Sequence, residues 1–285
     1  MVRPELQKKI DFAIMLIQQA EKTSNEYFNG EPVEISYSGG KDSDVILQLA
    51  KEANINFVAI YKNTTIDPIG TMQHCRSVGA QIITPEKGFF EIIKETGLPH
   101  RARRICCDIL KEYKVKDVAI HGIRKSESVK RQKRYKEPQV CRTYSKTEKV
   151  KVFYPILNWT DKDVLEFITD RNIKLAPVYY DSCGEIDVKK RLGCLCCPLQ
   201  SRKNRIKAFK DNPKILKGYI RSLRKFRETH PDSESCKNYS DEYEQIARDV
   251  FFESQKKYDK FISGHMHGGK PNCKVLLENY FNIKL

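Results

Sequence analysis

Val33 to Tyr37 reads as a short buried strand that stops on Ser38-Gly39-Gly40-Lys41-Asp42-Ser43, and Val45, Ile46, Leu49 and Ala50 then recur at helical spacing. A strand that gives way to a helix within six residues is the building unit of a parallel sheet. The same alternation continues. Strands are predicted over Phe57–Tyr61, Gln81–Thr84 and Asp117–Ile123, and helices over Met72–Val78, Gly88–Thr96 and Arg103–Lys114. The fold class is therefore α/β, a doubly wound, mostly parallel sheet. An N-terminal helix with Leu6, Ile10, Ala13, Ile14 and Ile17 on one face precedes it, and Thr160-Asp161-Lys162-Asp163 opens a later helix with a capping box. Beyond residue 200 strand signals vanish, and Ser201–Lys210, Pro213–Arg227 and Asp241–Phe261 are predicted as charged helices. At roughly 100–200 residues per domain, 285 residues are expected to divide as an N-terminal helix (1–29), a nucleotide-binding domain (30–200) and a basic helical extension (201–285).

The glycine turn carries the chemistry. Two glycines let the backbone approach a ligand with no Cβ in the way. The amides that follow lie at the positive end of a helix dipole, which suits phosphate. Lys41 adds a full charge, Ser38 and Ser43 add hydroxyls, and Asp42 is placed to orient a magnesium ion. The spacing is not that of a Walker loop. The plainer alternative is an ordinary strand-to-helix turn rich in glycine; placement straight after a buried strand, with Lys and Ser in register, favours phosphate.

Lysine and arginine total 52 against 37 acidic residues, a formal charge of +15 that favours polyanionic partners. With Gly 14 and Pro 12 the chain is neither collagen-like nor disordered. No apolar window is long enough for a membrane span, and a cytoplasmic protein with reduced thiols is expected. Ten cysteines then call for another use than cross-links. Cys106-Cys107 and Cys194-Leu195-Cys196-Cys197 form two tight clusters, flanked by Arg103, Arg104, Lys190 and Arg191, which lower thiol pKa values. A zinc site, or cysteines packed as small hydrophobes, are the competing readings.

The loop string resembles the pyrophosphate loop of the adenine nucleotide alpha-hydrolase superfamily. The stretches after it resemble its phosphoadenosine-phosphosulfate (PAPS) reductase family: Gly97-Leu98-Pro99, Arg103 to Lys111, Gly122-Ile123-Arg124-Lys125-Ser126-Glu127-Ser128 with Arg131, Tyr154 to Thr160, and Tyr180-Asp181 leading to Arg191-Leu192-Gly193-Cys194. The resemblance implies an adenine nucleotide, ATP or PAPS/adenylyl sulfate, held by Ser38, Gly39, Gly40, Lys41, Asp42, Ser43, Arg124 and Arg131, with Lys41, Asp42 and Arg124 catalytic and Mg²⁺ as the metal of the phosphates. It also implies a [4Fe–4S] cluster on Cys106, Cys107, Cys194 and Cys197, with zinc as the alternative. The chain is similar too to the iron–sulfur ATP pyrophosphatase of DNA phosphorothioation systems. Trp159 and His121 are expected in the core, and Glu127 is expected to pair with Arg124.

Two departures separate the chemistries. The reductases attack sulfur with a cysteine in a C-terminal Glu-Cys-Gly-like motif, whereas this tail reads Asn279 to Leu285 and the nearest thiol is Cys273. The intact Ser-Gly-Gly-Lys-Asp-Ser string is that of members cleaving ATP between its α and β phosphates. The expected activity is thus adenylation of an acceptor for sulfur transfer, from a donor that these residues do not identify. The alternatives are a PAPS or adenylyl-sulfate reductase and a non-catalytic nucleotide- or nucleic-acid-binding homologue. Basic clusters at Arg101–Arg104, Arg124–Lys136, Lys189–Arg191, Arg202–Lys210 and Lys214–Arg227 make DNA or tRNA a candidate acceptor. A homo-oligomer with no membrane partner is expected.

Overall fold

The stripe of Leu6, Ile10, Ala13, Ile17 and Ala20 along helix α1 (Pro4–Tyr27) is fully buried in the computed structural model of the protein. The structure describes residues 2–144, 148–252, 255–263 and 272–285, with the side chains of Gln255 and Phe261 left aside. In chain order the elements are β1 (Val33–Tyr37), α2 (Lys41–Glu52), β2 (Phe57–Lys62), α3 (Thr71–Ser77), β3 (Gln81–Ile83), α4 (Phe89–Thr96), α5 (Ile105–Leu110), β4 (Val118–Ile120) and α6 (Val129–Arg134). Then follow β5 (Gln139–Thr143), β6 (Lys149–Phe153), α7 (Asp161–Asp170), α8 (Arg202–Asp211), α9 (Pro213–Thr229), α10 (Glu234–Asn238), α11 (Glu242–Gln245), α12 (Gln255–Ser263) and α13 (Cys273–Phe281).

The chain forms two compact units. The first comprises Met1–Asn63, Asp67–Pro85 and Lys111–Gly193, and the second Thr64–Ile66, Glu86–Leu110 and Cys194–Leu285. These units are discontinuous in sequence, so 86–110, assigned above to the 30–200 segment, packs with the later helices.

The first unit is a six-stranded sheet of order β3-β2-β1-β4-β6-β5, parallel throughout except for the β5–β6 pair. From β1 the chain steps outward to β2 and β3, then returns to place β4 on the other side of β1. This reversal opens a crevice at the carboxyl ends of β1 and β4, where open α/β sheets bind ligands. One face carries Val33, Ile35, Val118 and Ile120 against the apolar sides of α1, α2 and α7, with Trp159 in the same core. The opposite face is apolar over β4 and β6, through Ala119, Val150 and Val152, and polar over β1, where Glu34 and Ser36 point. The second unit buries Phe89, Ile92 and Ile93 of α4 against Leu216, Tyr219, Ile220 and Leu223 of α9. Phe209, Phe251 and Phe281 close its core with edge and tilted ring contacts.

Three of the expected elements are altered. The helix over Arg103–Lys114 shrinks to α5, and the strand over Asp117–Ile123 to β4. The helix over Asp241–Phe261 is interrupted by a π-helical stretch at Ile246–Phe252. Strands β5 and β6 have no counterpart in the sequence reading. Among the described residues no helix is long and apolar enough to cross a membrane.

The capping box of α7 is present: Asp163 accepts the Thr160 amide at 2.7 Å and Thr160 Oγ1 accepts the Asp163 amide. The fully buried Asp163 carboxylate also takes Lys9 at 2.6 Å and Arg3, which ties α1 to α7. Burial raises its pKa, but the hydrogen bonds from Lys9 and Thr160 more than offset this and hold it below the usual value. Asp163→Ala is expected to cost about 1–3 kcal/mol at neutral pH. Since the native pKa is depressed, this increment is full above the unfolded carboxylate pKa and vanishes as pH falls through the native one. Thermal melts of both proteins between neutral and acid pH check it.

Candidate functional site

The turn after β1 is built for close approach. Gly39 has φ +71°, and a Cβ there would sit 3.1 Å from Cys75 Sγ and from Thr71 Cγ2, so the turn lies directly on α3. Gly40 caps α2, its carbonyl accepting the Ser43 and Asp44 amides at 2.9 and 3.0 Å. Ser43 Oγ donates to the Gly40 carbonyl at 2.7 Å and stands 3.3 Å from both Ser38 N and Ser38 Oγ. The loop is thus closed by its own hydroxyls, with the first-turn amides of α2 at its mouth.

Lys41 is buried, and its ammonium lies 3.2 Å from Asp42 Oδ2 and 5.6 Å from the Tyr179 ring centroid. Burial lowers its pKa; Asp42 opposes this shift and Arg124 adds to it. Arg124, 1% exposed, donates from Nε to Asp42 Oδ1 at 2.7 Å, from Nη2 to Asp161 at 2.9 Å and from Nη1 to Ser126 Oγ at 3.0 Å. Both oxygens of Asp42 hold cations, so the carboxylate orients Lys41 and Arg124. The expected Glu127–Arg124 pair is not formed: Glu127 binds Arg131 and, at 3.2 Å, Arg191. The pKa of Arg131 is lowered by burial and by Arg191. Gly122 joins the site from the segment just after β4, where a Cβ would lie 2.9 Å from the Asp42 carbonyl oxygen.

A cavity of about 200 Å³ adjoins the loop through Tyr37 and Ser38 and is lined further by Glu34, Ser36, Lys62, His121 and Arg142. His121 thus faces a cavity where a core position was expected. Burial, then Arg142 and Lys62, lower its pKa to about 3, so the ring is neutral at physiological pH. Sequence reasoning missed Glu34, Lys62 and Arg142; a carboxylate inside the strand was their one visible signal.

The four expected cysteine ligands all fall in the second unit. Cys106 and Cys107 lie in α5; Cys196, between Cys194 and Cys197, has φ +57°, the left-handed turn that brings the last two thiols round. The Cys106 thiol is raised by a hydrogen bond to Cys107, by burial, and by Cys107, Cys197 and Cys194, so the four share one neighbourhood. Cys194 Sγ is 3.5 Å from Thr64 Oγ1. Among the described residues no three His, Cys, Asp or Glu side chains close on a common centre tightly enough to hold a metal ion. The donor set is right for soft iron or zinc, while the side-chain geometry is looser than ligation requires. Burial pushes the spare Cys196 thiol up to about 12. Cys273 is buried, 3.0 Å from Tyr258 Oη, and its pKa is raised by burial, which makes it a poor nucleophile.

The phosphoadenosine phosphosulfate reductase domain model matches residues 32–200, and the chain belongs to that family. An uncharacterized protein of Methanocaldococcus jannaschii is 26% identical over 70% of this chain and 43% of its own length. A second from the same organism is 27% identical over 68% of this chain and 48% of its own. The chain thus spans less than half the length of these two relatives. Sulfate adenylyltransferase subunit 2 of Shewanella oneidensis is 28% identical over 63% of this chain and 68% of its own length. Among solved structures, the PAPS reductase of Candida auris in its phosphate complex aligns with a TM-score of 0.42 and 16% identity, covering 64% of this chain and 95% of that one.

Gly122→Ala forces backbone to yield at the loop and is expected to cost about 1–3 kcal/mol. Gly193→Ala meets nothing within 4 Å and should leave stability unchanged. Denaturant melts of the two variants make the comparison.

Proposed function

We propose that the protein is an adenylyl-transferring ATP pyrophosphatase. The observation that carries this reading is the self-closed loop of Ser38, Gly39, Gly40 and Ser43, with the buried Lys41 aimed by Asp42 at the β1/β4 crevice. MgATP enters as substrate. The α2 amides and Lys41 receive its β and γ phosphates, and the Lys41 charge, little screened by water, stabilises the pyrophosphate that leaves. An acceptor oxygen attacks the α phosphorus. The new P–O bond forms as the α–β bridging bond breaks, and a hydroxyl acceptor releases its proton to solvent. Arg124 fixes Asp42 and thereby the direction of Lys41. The name of the Shewanella relative, an adenylyltransferase, supports the reaction class. A sulfur nucleophile then displaces AMP from the activated acceptor. Exposed Lys214, Lys217 and Arg221 along α9 suit a polyanionic acceptor such as DNA or tRNA.

Cys106, Cys107, Cys194 and Cys197 are proposed as the thiolates of an iron–sulfur cluster, supported by their shared neighbourhood and by the buried Arg205, which offsets the rise of the adjoining Cys196 thiol. Bound there, the cluster would supply a soft, sulfur-binding centre.

Purified protein with MgATP and candidate acceptors is expected to release pyrophosphate, and AMP once sulfide is added as the nucleophile. Lys41→Ala should lower that rate by about 100-fold or more; equal rates in both proteins refute the assignment. Anaerobically isolated protein is expected to carry iron and acid-labile sulfide with broad visible absorption, lost in Cys106→Ser and Cys197→Ser. Stoichiometric zinc without sulfide would replace the cluster by a structural site.

A further inference from the structure

Glu34 sits where the sheet should be apolar. Its cross-strand row runs Val58, Glu34, Ala119, Val152, Val140, so every neighbour in register is an aliphatic side chain. The residue is 3% exposed. Its Oε1 accepts from Ser36 Oγ at 2.6 Å, and no other hydrogen bond or ion pair reaches the carboxylate among the described residues. A carboxylate taken out of water with one bond keeps most of its desolvation penalty. Lys62 feels the Glu34 charge but makes its hydrogen bonds elsewhere: its ammonium donates to the Tyr113 carbonyl at 2.6 Å and the Lys111 carbonyl at 3.3 Å, over the Tyr113 ring.

Glu34 instead lines the cavity beside the phosphate loop. A metal cation there would face Lys62, Lys111 and Arg142, whose charges oppose it, although Glu112 also lies on the wall. The complement of an uncharged occupant is an N–H donor. At about 200 Å³ the space is smaller than a typical drug-sized site and matches a single fused-ring base. Its connection to the loop through Tyr37 and Ser38 sets base and phosphates of one nucleotide side by side.

We propose that Glu34 is the base-reading residue of this site, its unbonded oxygen accepting a hydrogen bond from the exocyclic amine of adenine. The inference rests on the loop being an ATP site, as argued above. An inosine nucleotide carries a carbonyl oxygen in place of the amine and would set acceptor against acceptor, leaving the buried carboxylate unpaired.

Calorimetric titration of the full-length protein with ATP, ITP and pyrophosphate tests this in wild type and Glu34→Gln. Wild type is expected to bind ATP about 10- to 100-fold more tightly than ITP. In Glu34→Gln, whose amide serves either base, the ratio should fall to within about threefold, with pyrophosphate affinity unchanged. The variant should also melt no lower than wild type without nucleotide, because a buried charge has been removed. An ATP/ITP ratio that is the same in both proteins overturns the role of Glu34, and so does a wild type that does not discriminate. Failure of wild type to bind either ATP or pyrophosphate instead overturns the loop assignment, so the two failures are told apart by the pyrophosphate arm.

Discussion

Asp42 is the joint on which the crevice depends. One of its oxygens holds Arg124, from the segment after β4, and the other holds Lys41, from the first turn of α2. Two chain segments that meet only because β4 returns beside β1 are thus fastened at the mouth of the glycine turn, where the proposed polyphosphate would arrive. Arg124 reaches on to Asp161 at the start of α7, so the same guanidinium links the loop to the helix whose cap Asp163 secures. Removing Asp42 would release two buried cations at once, a larger disturbance than losing one surface ion pair.

The cysteines answer to a different environment. In the helical unit Cys196 and Tyr219 are deeply buried and their titrations are driven upward chiefly by that burial, which keeps them protonated and inert. Cys106, Cys107, Cys194 and Cys197 are only half-buried, yet the Cys106 thiol is raised as well, by its hydrogen bond to Cys107, by burial and by the neighbouring thiols. The thiol at Cys75, sealed under the glycine turn, is raised to about 12 and serves as packing for Gly39.

What was legible in the sequence followed local pattern. The β1–loop–α2 unit, the first three strands and the capped start of α7 were readable because apolar spacing, glycine placement and capping residues all act within a few positions. Strands β5 and β6 escaped because their inward residues, Val140, Val150 and Val152, alternate with Gln139, Cys141, Lys149 and Lys151 in runs of only five. The partner of Arg124 was misread for a related reason. Glu127 is near in sequence, whereas Asp42 and Asp161 come close only after the sheet has formed. Glu34 passed as one polar residue in a short strand, and its meaning depends on a cross-strand row that periodicity cannot supply.

The helical unit gathers α4 and α5 with helices that begin beyond residue 200. During synthesis, then, Phe89, Ile92 and Ile93 leave the ribosome about 130 residues ahead of Tyr219 and Leu223, the side chains that cover them. At about 5–20 residues per second this is an interval of several seconds in which a greasy helix has no partner. The strands of the nucleotide-binding unit can assemble meanwhile, leaving α4 and α5 as an unfinished loop. Chaperone dependence and aggregation of nascent chains stalled before the α9 codons are where that delay would be felt.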